Sequence, residues 1–298
     1  MTIEESISGF TDYIATERRM AAGTVRNYTG DLHDLAEHLA AIGVVELHEM
    51  TARDVRSWQM THTERGEAPG TIKRRLSSVG SWLRWLRSNG LYDADLMVKI
   101  TYPKQPKRTP VFYREPELEH LYDAGLFPTD FVGQRDALIL RILYETGIRR
   151  AELIGLKEHA VDTTALTIKV LGKRNKERII PIETELAGNI SSYIALKRQE
   201  VGETEWLFTT PKGKQMTAGQ VYYLVKKYMT MLSTADRISP HVFRHSFATH
   251  ILKEGGDLLA LKELLGHENL ATTEIYTHIT REQLKQTYQH THPRGRKK

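Results

Sequence analysis

The chain has 298 residues, 40% of them apolar and 27% charged, with a net charge of +5. That length holds one large domain or two ordinary ones, and the mild basic excess is compatible with a polyanionic partner without requiring one. The absence of cysteine excludes disulfides, thiolate zinc sites and cysteine nucleophiles; the start, MTIEESISGF, lacks the pattern of a secretory signal, and no window approaches the ~18 apolar residues of a membrane span, so the expected compartment is the cytoplasm, with no membrane partner.

Residues 1–102 read as a helical domain. Ile3, Ile7, Phe10 and Ile14 recur at helical spacing, as do Tyr28, Leu32, Leu35 and Leu39, with Thr24 as a candidate N-cap for the second helix. Thr51 is a candidate cap for a third helix carrying Val55 and Trp58. A fourth begins at Gly70-Thr71 and places Ile72, Leu76, Val79, Leu83 and Leu86 on one face. The pattern predicts a bundle of four or five helices. The fourth helix also carries Lys73, Arg74, Arg75, Arg84 and Arg87 with no acidic residue between them and with Trp82 and Trp85 interleaved. Residues 1–108 hold 15 basic and 14 acidic side chains, so this basic charge is concentrated rather than general. Lys73, Arg74, Arg75 and Arg84 are therefore candidate DNA contacts, since guanidinium donors pair with phosphate oxygens in a fork; a solvated helix face is the other reading.

A proline-rich, basic stretch, TYPKQPKRTPVF (101–112), predicts an extended linker over 103–112. Residues 113–298 look mixed. Helical patterns occupy 115–124, 134–146 and 184–200, and ALTIKVLGKRNKERIIPI (165–182) reads as a β-hairpin. After residue 217 the pattern is helical, and the tail HPRGRKK is basic. The expected fold class is mostly α with one small β-hairpin or sheet in the second domain.

Four segments carry candidate chemistry. In TGIRRAELIGL (146–156), Gly147 ends one helix and Arg149 opens the next, with Glu152 one turn on; a helix N-terminus beside an arginine suits an anion. In GKRNKER (172–178), a hairpin tip with Lys173, Arg174, Lys176 and Arg178 suits phosphates or a DNA groove, and a lysine among cations can serve as an acid. In SPHVFRHSFATHIL (239–252), Pro240 sits in a first helical turn and His241 and Arg244 share a face, which suits a common anion. His241 and His245 have metal-ligand spacing, but without an HExxH pattern or a cysteine zinc is disfavoured, and His245 and His250 read as packed or capping residues. In LLGHENLATTEIYTHIT (264–280), Gly266-His267 ends a helix with Leu258, Leu261, Leu264 and Leu265 on its apolar face. Thr272 or Thr273 then opens another that carries Tyr276.

Taken one at a time, each of these segments has an ordinary structural explanation. Their order does not. Arg149, Lys173, His241-x-x-Arg244, His267 and Tyr276, within the words TGIRRAEL, GKRNKERIIPI, SPHVFRHSFATH and LLGHENLATTEIYTH, resemble the tyrosine recombinase (phage integrase) family along essentially the whole chain. VRNYTGDLHDL and TIKRRLSSVGSWLRWL resemble that family's helical core-binding domain. The simple layout and the tail QHTHPRGRKK are most similar to its Xer branch.

The resemblance implies two domains forming a C-shaped clamp on DNA, a SAM-like core-binding domain over 1–102 and a catalytic domain over 113–298. It implies that the Tyr276 hydroxyl attacks a phosphodiester to give a 3′-phosphotyrosyl link, that Arg149 and Arg244 hold the scissile phosphate, and that Lys173 protonates the leaving 5′-oxygen. His241 and His267 would bond the phosphate oxygens, and Glu152 would orient its neighbours. Lys73, Arg74, Arg75, Arg84, Arg174 and Lys176 would contact DNA. The chemistry needs no metal or nucleotide cofactor. The implied partners are a double-stranded recombination site, a homo- or hetero-tetramer with a paralogous recombinase, and a DNA translocase as activator, with 281–290 as a candidate helix for exchange between subunits. Arg150, Arg174 and Asp93-Ala94-Asp95 depart from the family's commonest wording without removing a catalytic group. An integrase or resolvase of a mobile element, a type IB topoisomerase and a DNA-binding regulator without strand transfer are the competing readings.

Overall fold

The computed structural model describes residues 1–104, 111–123, 125–172, 177–266 and 291. The chain divides into two compact units, Met1–Arg108 and Thr109–Lys298, each with its own apolar core. Of the expected linker 103–112, residues 105–110 lie outside the described residues.

The first unit contains α1 (Ile3–Asp12), α2 (Ala22–Ala41), α3 (Ala52–Glu64) and α4 (Pro69–Ser88), followed by a short 3-10 turn at Leu96–Lys99. Thr2 starts α1 reciprocally: its hydroxyl accepts from the Glu5 N–H at 3.2 Å and its own N–H donates to the Glu5 carboxylate at 2.7 Å. Thr51 opens α3 as expected, donating its N–H to Asp54 at 2.8 Å. The second helix differs from expectation. Ala21 is its cap, and the Thr24 N–H already donates to the Ala21 carbonyl at 2.7 Å, so Thr24 lies inside the first turn. α4 likewise begins at Pro69, whose ring presets the first helical φ. The expected apolar faces meet in one core of Ile3, Ile7, Phe10, Leu32, Leu35, Val55, Trp58, Ile72, Leu76, Val79 and Leu86. Trp82, which the sequence shows among the arginines, is fully buried with them, because it follows Val79 by three and precedes Leu86 by four.

The second unit contains α5 (Glu115–Glu119), α6 (Phe131–Thr146), α7 (Arg150–Ile154), the strands β1 (Val161–Asp162), β2 (Thr167–Leu171) and β3 (Glu177–Pro181), then α8 (Thr184–Glu200), α9 (Ala218–Leu232), α10 (Pro240–Lys253) and α11 (Leu258–Leu265). The expected helix over 115–124 is helical only to Glu119, after which His120–Tyr122 form a 3-10 turn. α6 starts earlier than expected because Asp130 caps it, accepting from the Gly133 N–H at 2.7 Å. The strands form an antiparallel sheet in the order β1-β2-β3, in register at Ile168 with Ile180 and Leu171 with Glu177. Ile168, Val170 and Ile180 face the core, which continues through Ile139, Leu143, Ile190, Tyr193, Leu224 and Phe243. Leu261, Leu264 and Leu265 of α11 are buried as expected, whereas Leu258, at its first position, is 53% exposed. Among the described residues no helix is long and apolar enough to cross a membrane.

Candidate active site

The site begins where α6 stops. Gly147 takes the left-handed conformation, φ 59° and ψ 20°, which costs a residue with a side chain about 1–2 kcal/mol. A Cβ at this position would also lie 2.6 Å from the Phe247 ring and 2.9 Å from Leu265, so glycine lets α10 and α11 close on the end of α6. The chain then buries Ile148 and presents Arg149 at the N-cap of α7. Glu152, in the first turn of α7, accepts from the Arg149 N–H at 2.9 Å and from its guanidinium at 2.9 Å. One carboxylate thus satisfies an orphan amide of the helix start and fixes the arginine beside it.

A second arginine reaches the same carboxylate. Arg178 lies in β3, where alternation puts it on the face of the buried Ile180 and turns Glu177 and Ile179 outward. Its two terminal nitrogens donate to the two oxygens of Glu152, each at 2.8 Å, and its Nε donates to the Leu264 carbonyl at 2.7 Å. Burial pushes the Glu152 carboxyl up, but the hydrogen bonds and charge of Arg178, joined by those of Arg149, outweigh it and hold the group at about 2.

The third arginine comes from α10. Pro240 stands in the first turn after the extended Ser239, and His241 and Arg244 follow on one face. Arg244 donates to the Gly147 carbonyl at 2.7 Å and to the Leu265 carbonyl at 2.5 Å. Arg149 in turn donates to the Gly266 carbonyl at 2.8 Å. The consecutive carbonyls of Leu264, Leu265 and Gly266, at the C-terminal end of α11, therefore each receive one arginine: Arg178 from a strand, Arg244 from a helix and Arg149 from a helix start. Those carbonyls are the electronegative end of α11, so three cations converge where the backbone itself attracts them. Burial first, then Arg149 and Arg178, push Arg244 down to about 9, where it still carries its charge at neutral pH. The His241 imidazole is held below its ordinary value by desolvation, then by Arg150, His245, Arg244 and Arg149. A neutral imidazole beside guanidiniums can accept or pass a proton near neutrality.

Four of the sequence-predicted site residues, Arg149, Glu152, His241 and Arg244, thus belong to one cluster at the junction of α6, α7, α10 and α11. Lys173, Arg174, Lys176, His267 and Tyr276 lie outside the described residues, as do Thr272, Thr273 and 281–290. Arg178 was expected at a hairpin tip; it is instead turned inward with its side chain 12% exposed. His250 is buried, with its ring edge-on to Tyr144 and Phe112, while His245 is exposed. In the first unit the predicted DNA contacts divide. Lys73, Arg74 and Arg84 are exposed, with Arg74 paired to Asp31 and Arg84 donating to Ser81 at 3.1 Å. Arg75 is drawn into an acidic setting, 3.0 Å from Glu67, 3.3 Å from Asp31 and 3.6 Å from Asp34.

The sequence pattern of the Phage integrase family matches residues 113–283, and that of the Phage integrase, N-terminal SAM-like domain matches residues 7–90. Tyrosine recombinase XerC of Oceanobacillus iheyensis is 33% identical, the match covering 98% of this chain and 97% of that protein. In fold the chain is similar to the Tn1549 transposon integrase solved with transposon right end DNA, with TM-score 0.70, 21% identity, and coverage of 96% of this chain and 98% of that one. It is also similar to the XerH site-specific recombinase bound to palindromic difH substrate in a post-cleavage complex, with TM-score 0.66, 20% identity, and coverage of 90% and 80%. A mostly helical chain with a small antiparallel sheet, matched over both units and along nearly its whole length, belongs to the phage integrase family, the tyrosine recombinases that cut and rejoin DNA at specific sites.

Proposed function

We propose that this recombinase resolves chromosome or plasmid dimers by Xer-type recombination, with Tyr276 as nucleophile and Arg149 and Arg244 as the clamp on the scissile phosphate. The observation that carries the assignment is the convergence of those two guanidiniums on the last carbonyls of α11, immediately before His267 in the chain. The Tyr276 oxygen attacks phosphorus, a Tyr–O–P bond forms as the bond to the 5′-oxygen breaks, and Lys173 gives that oxygen a proton. His241 and His267 bond the phosphate oxygens and take up the phenolic proton. Religation reverses each transfer: the 5′-hydroxyl attacks the phosphotyrosine and the phenolate leaves. The link conserves bond energy, so no nucleotide is spent. Negative charge grows on the phosphate in the pentavalent transition state, and two preplaced guanidiniums stabilise it more than the ground state.

Lys73, Arg74, Arg75, Arg84, Arg174 and Lys176 are proposed to hold the duplex. Domains 1–102 and 113–298, joined by 103–112, are assigned to DNA grip and chemistry. Strand exchange between two duplexes requires four active sites, hence a tetramer, with a paralogous recombinase and a translocase activator as proposed partners in the cytoplasm. A nicked suicide duplex carrying the DNA trapped covalently from cells tests this. Wild type is expected to accumulate a covalent complex that Tyr276→Phe does not form, and Holliday junctions are expected from paired sites. Equal covalent trapping by Tyr276→Phe would remove the nucleophile assignment; supercoil relaxation without junctions would favour a topoisomerase.

A further inference from the structure

Arg178 is the cation of the cluster that the proposed chemistry does not use. All three of its guanidinium nitrogens are spent on protein acceptors, two on Glu152 and one on the Leu264 carbonyl. Its side chain is 12% exposed, against 34% for Arg149. It is thus poorly placed to bind a ligand and well placed to hold other groups. Both things it holds lead to the phosphate clamp. Glu152 is the carboxylate that fixes Arg149, and the end of α11 is the acceptor shared by Arg149 and Arg244. Arg178 also stands in β3, five residues after Lys173 in the sequence.

We propose that Arg178 is a positioning residue, which saturates the Glu152 carboxylate and anchors the end of α11 so that Arg149 and Arg244 keep the spacing that a scissile phosphate requires. This rests on the assignment of Arg149 and Arg244 to the phosphate. The reasoning is one of competition. A buried carboxylate needs two strong donors. With Arg178 present, Arg149 contributes one nitrogen to Glu152 and one to Gly266. Without Arg178, Arg149 is the remaining cation bonded to Glu152 among the described residues, and a bidentate pair would pull that guanidinium off the α11 carbonyl. Among the described residues, the charged groups facing Glu152 are Arg149 from α7, Arg178 from β3 and Arg244 from α10. Losing the largest stabiliser lets Glu152 titrate closer to an ordinary carboxyl.

The test is single-turnover cleavage of the nicked duplex by full-length Arg178→Ala, Arg178→Lys, Glu152→Gln and the double variant Glu152→Gln/Arg178→Ala, with Arg149→Ala as reference. Arg178→Ala is expected to cleave roughly 100-fold more slowly, as small misplacements of catalytic groups do, while its non-covalent affinity for the duplex changes by no more than about 3-fold. Its rate relative to wild type is expected to fall further as pH drops into the ordinary carboxyl range. Arg178→Lys, lacking the planar fork, is expected to recover only part of the rate. The double variant is expected to be no slower than Arg178→Ala, because the two residues act as a unit. Wild-type cleavage and pH profile in Arg178→Ala would overturn the proposal, as would a loss confined to DNA affinity, which marks a DNA contact. Should Arg178→Ala fail to fold, Arg178→Lys carries the same decision through its rate, affinity and pH profile. If Arg178→Ala is normal while Arg149→Ala is inactive, the positioning role alone falls; if Arg149→Ala cleaves like wild type, the assignment of the clamp falls first.

Discussion

Glu152 is nearly closed off from water, yet it is an anion whose partners Arg149 and Arg178 hold it at about 2. A carboxyl whose folded value lies below its unfolded value stabilises the fold above the unfolded value and loses that contribution as pH falls through the folded one. Here the window runs from about 4.5 down to about 2, and the contribution is on the order of 3 kcal/mol. Wild type is therefore expected to lose stability over that window by an amount that Glu152→Gln does not, read as urea midpoints at pH 6, 4 and 2.5. Equal losses in the two proteins would reject the account. Much of the cluster was legible residue by residue. Gly147, Arg149, Pro240 and Arg244 are read from the helix-end grammar that places them. Arg178 was misread because charged hairpin tips are common and need no function. The alternation of Glu177, Arg178, Ile179 and Ile180 already put it on the inward face.

At the scale of elements, α2, α3 and α4 are joined by a polar seam as well as by their apolar faces. Asp31, 3% exposed, accepts from Arg74, from Arg75 at 3.3 Å and from the Ser78 hydroxyl at 2.8 Å. His62, 1% exposed, lies between Asp34 at 2.7 Å and Glu67 at 2.9 Å, and Asp34 also accepts from the Trp58 indole at 2.8 Å. Asp31→Ala removes the acceptor shared by three donors and is expected to cost the first unit roughly 2 kcal/mol, measured by thermal or urea unfolding. A change below about 0.5 kcal/mol would show the seam to be incidental. No local pattern announces this seam. Asp31 and Asp34 of α2 lie more than forty residues before the arginines they pair with, and Glu67 lies just before α4 begins, so a run of arginines without intervening acids looked unpaired. The apolar faces were legible because 3.6-residue periodicity is local, and Thr51 was legible as a cap for the same reason. Thr24 was not, since backbone bonds from Ala21 had already closed the turn.

For the whole molecule, the division of labour among cations is what binding measurements report. Lys73 is exposed and Arg75 is committed to three carboxylates. Lys73→Ala is expected to leave stability intact, weaken DNA binding and lower the slope of log K against log salt by about one. Arg75→Ala is expected to lower stability more than it lowers that slope. The reverse pattern would exchange their roles. A last consequence concerns the recombinase when it is not on DNA. Arg149, Arg178 and Arg244 share the end of α11 with one described carboxylate, Glu152. Among the described residues the end of α11 therefore gathers more positive than negative side-chain charge, and like charges held this close repel one another. Divalent oxyanions are expected to relieve that repulsion: 50 mM sulfate should raise the melting temperature above that in chloride of equal ionic strength, with the gain reduced in Arg244→Ala. The choice of buffer anion would then set how long a purified stock keeps its activity on the shelf.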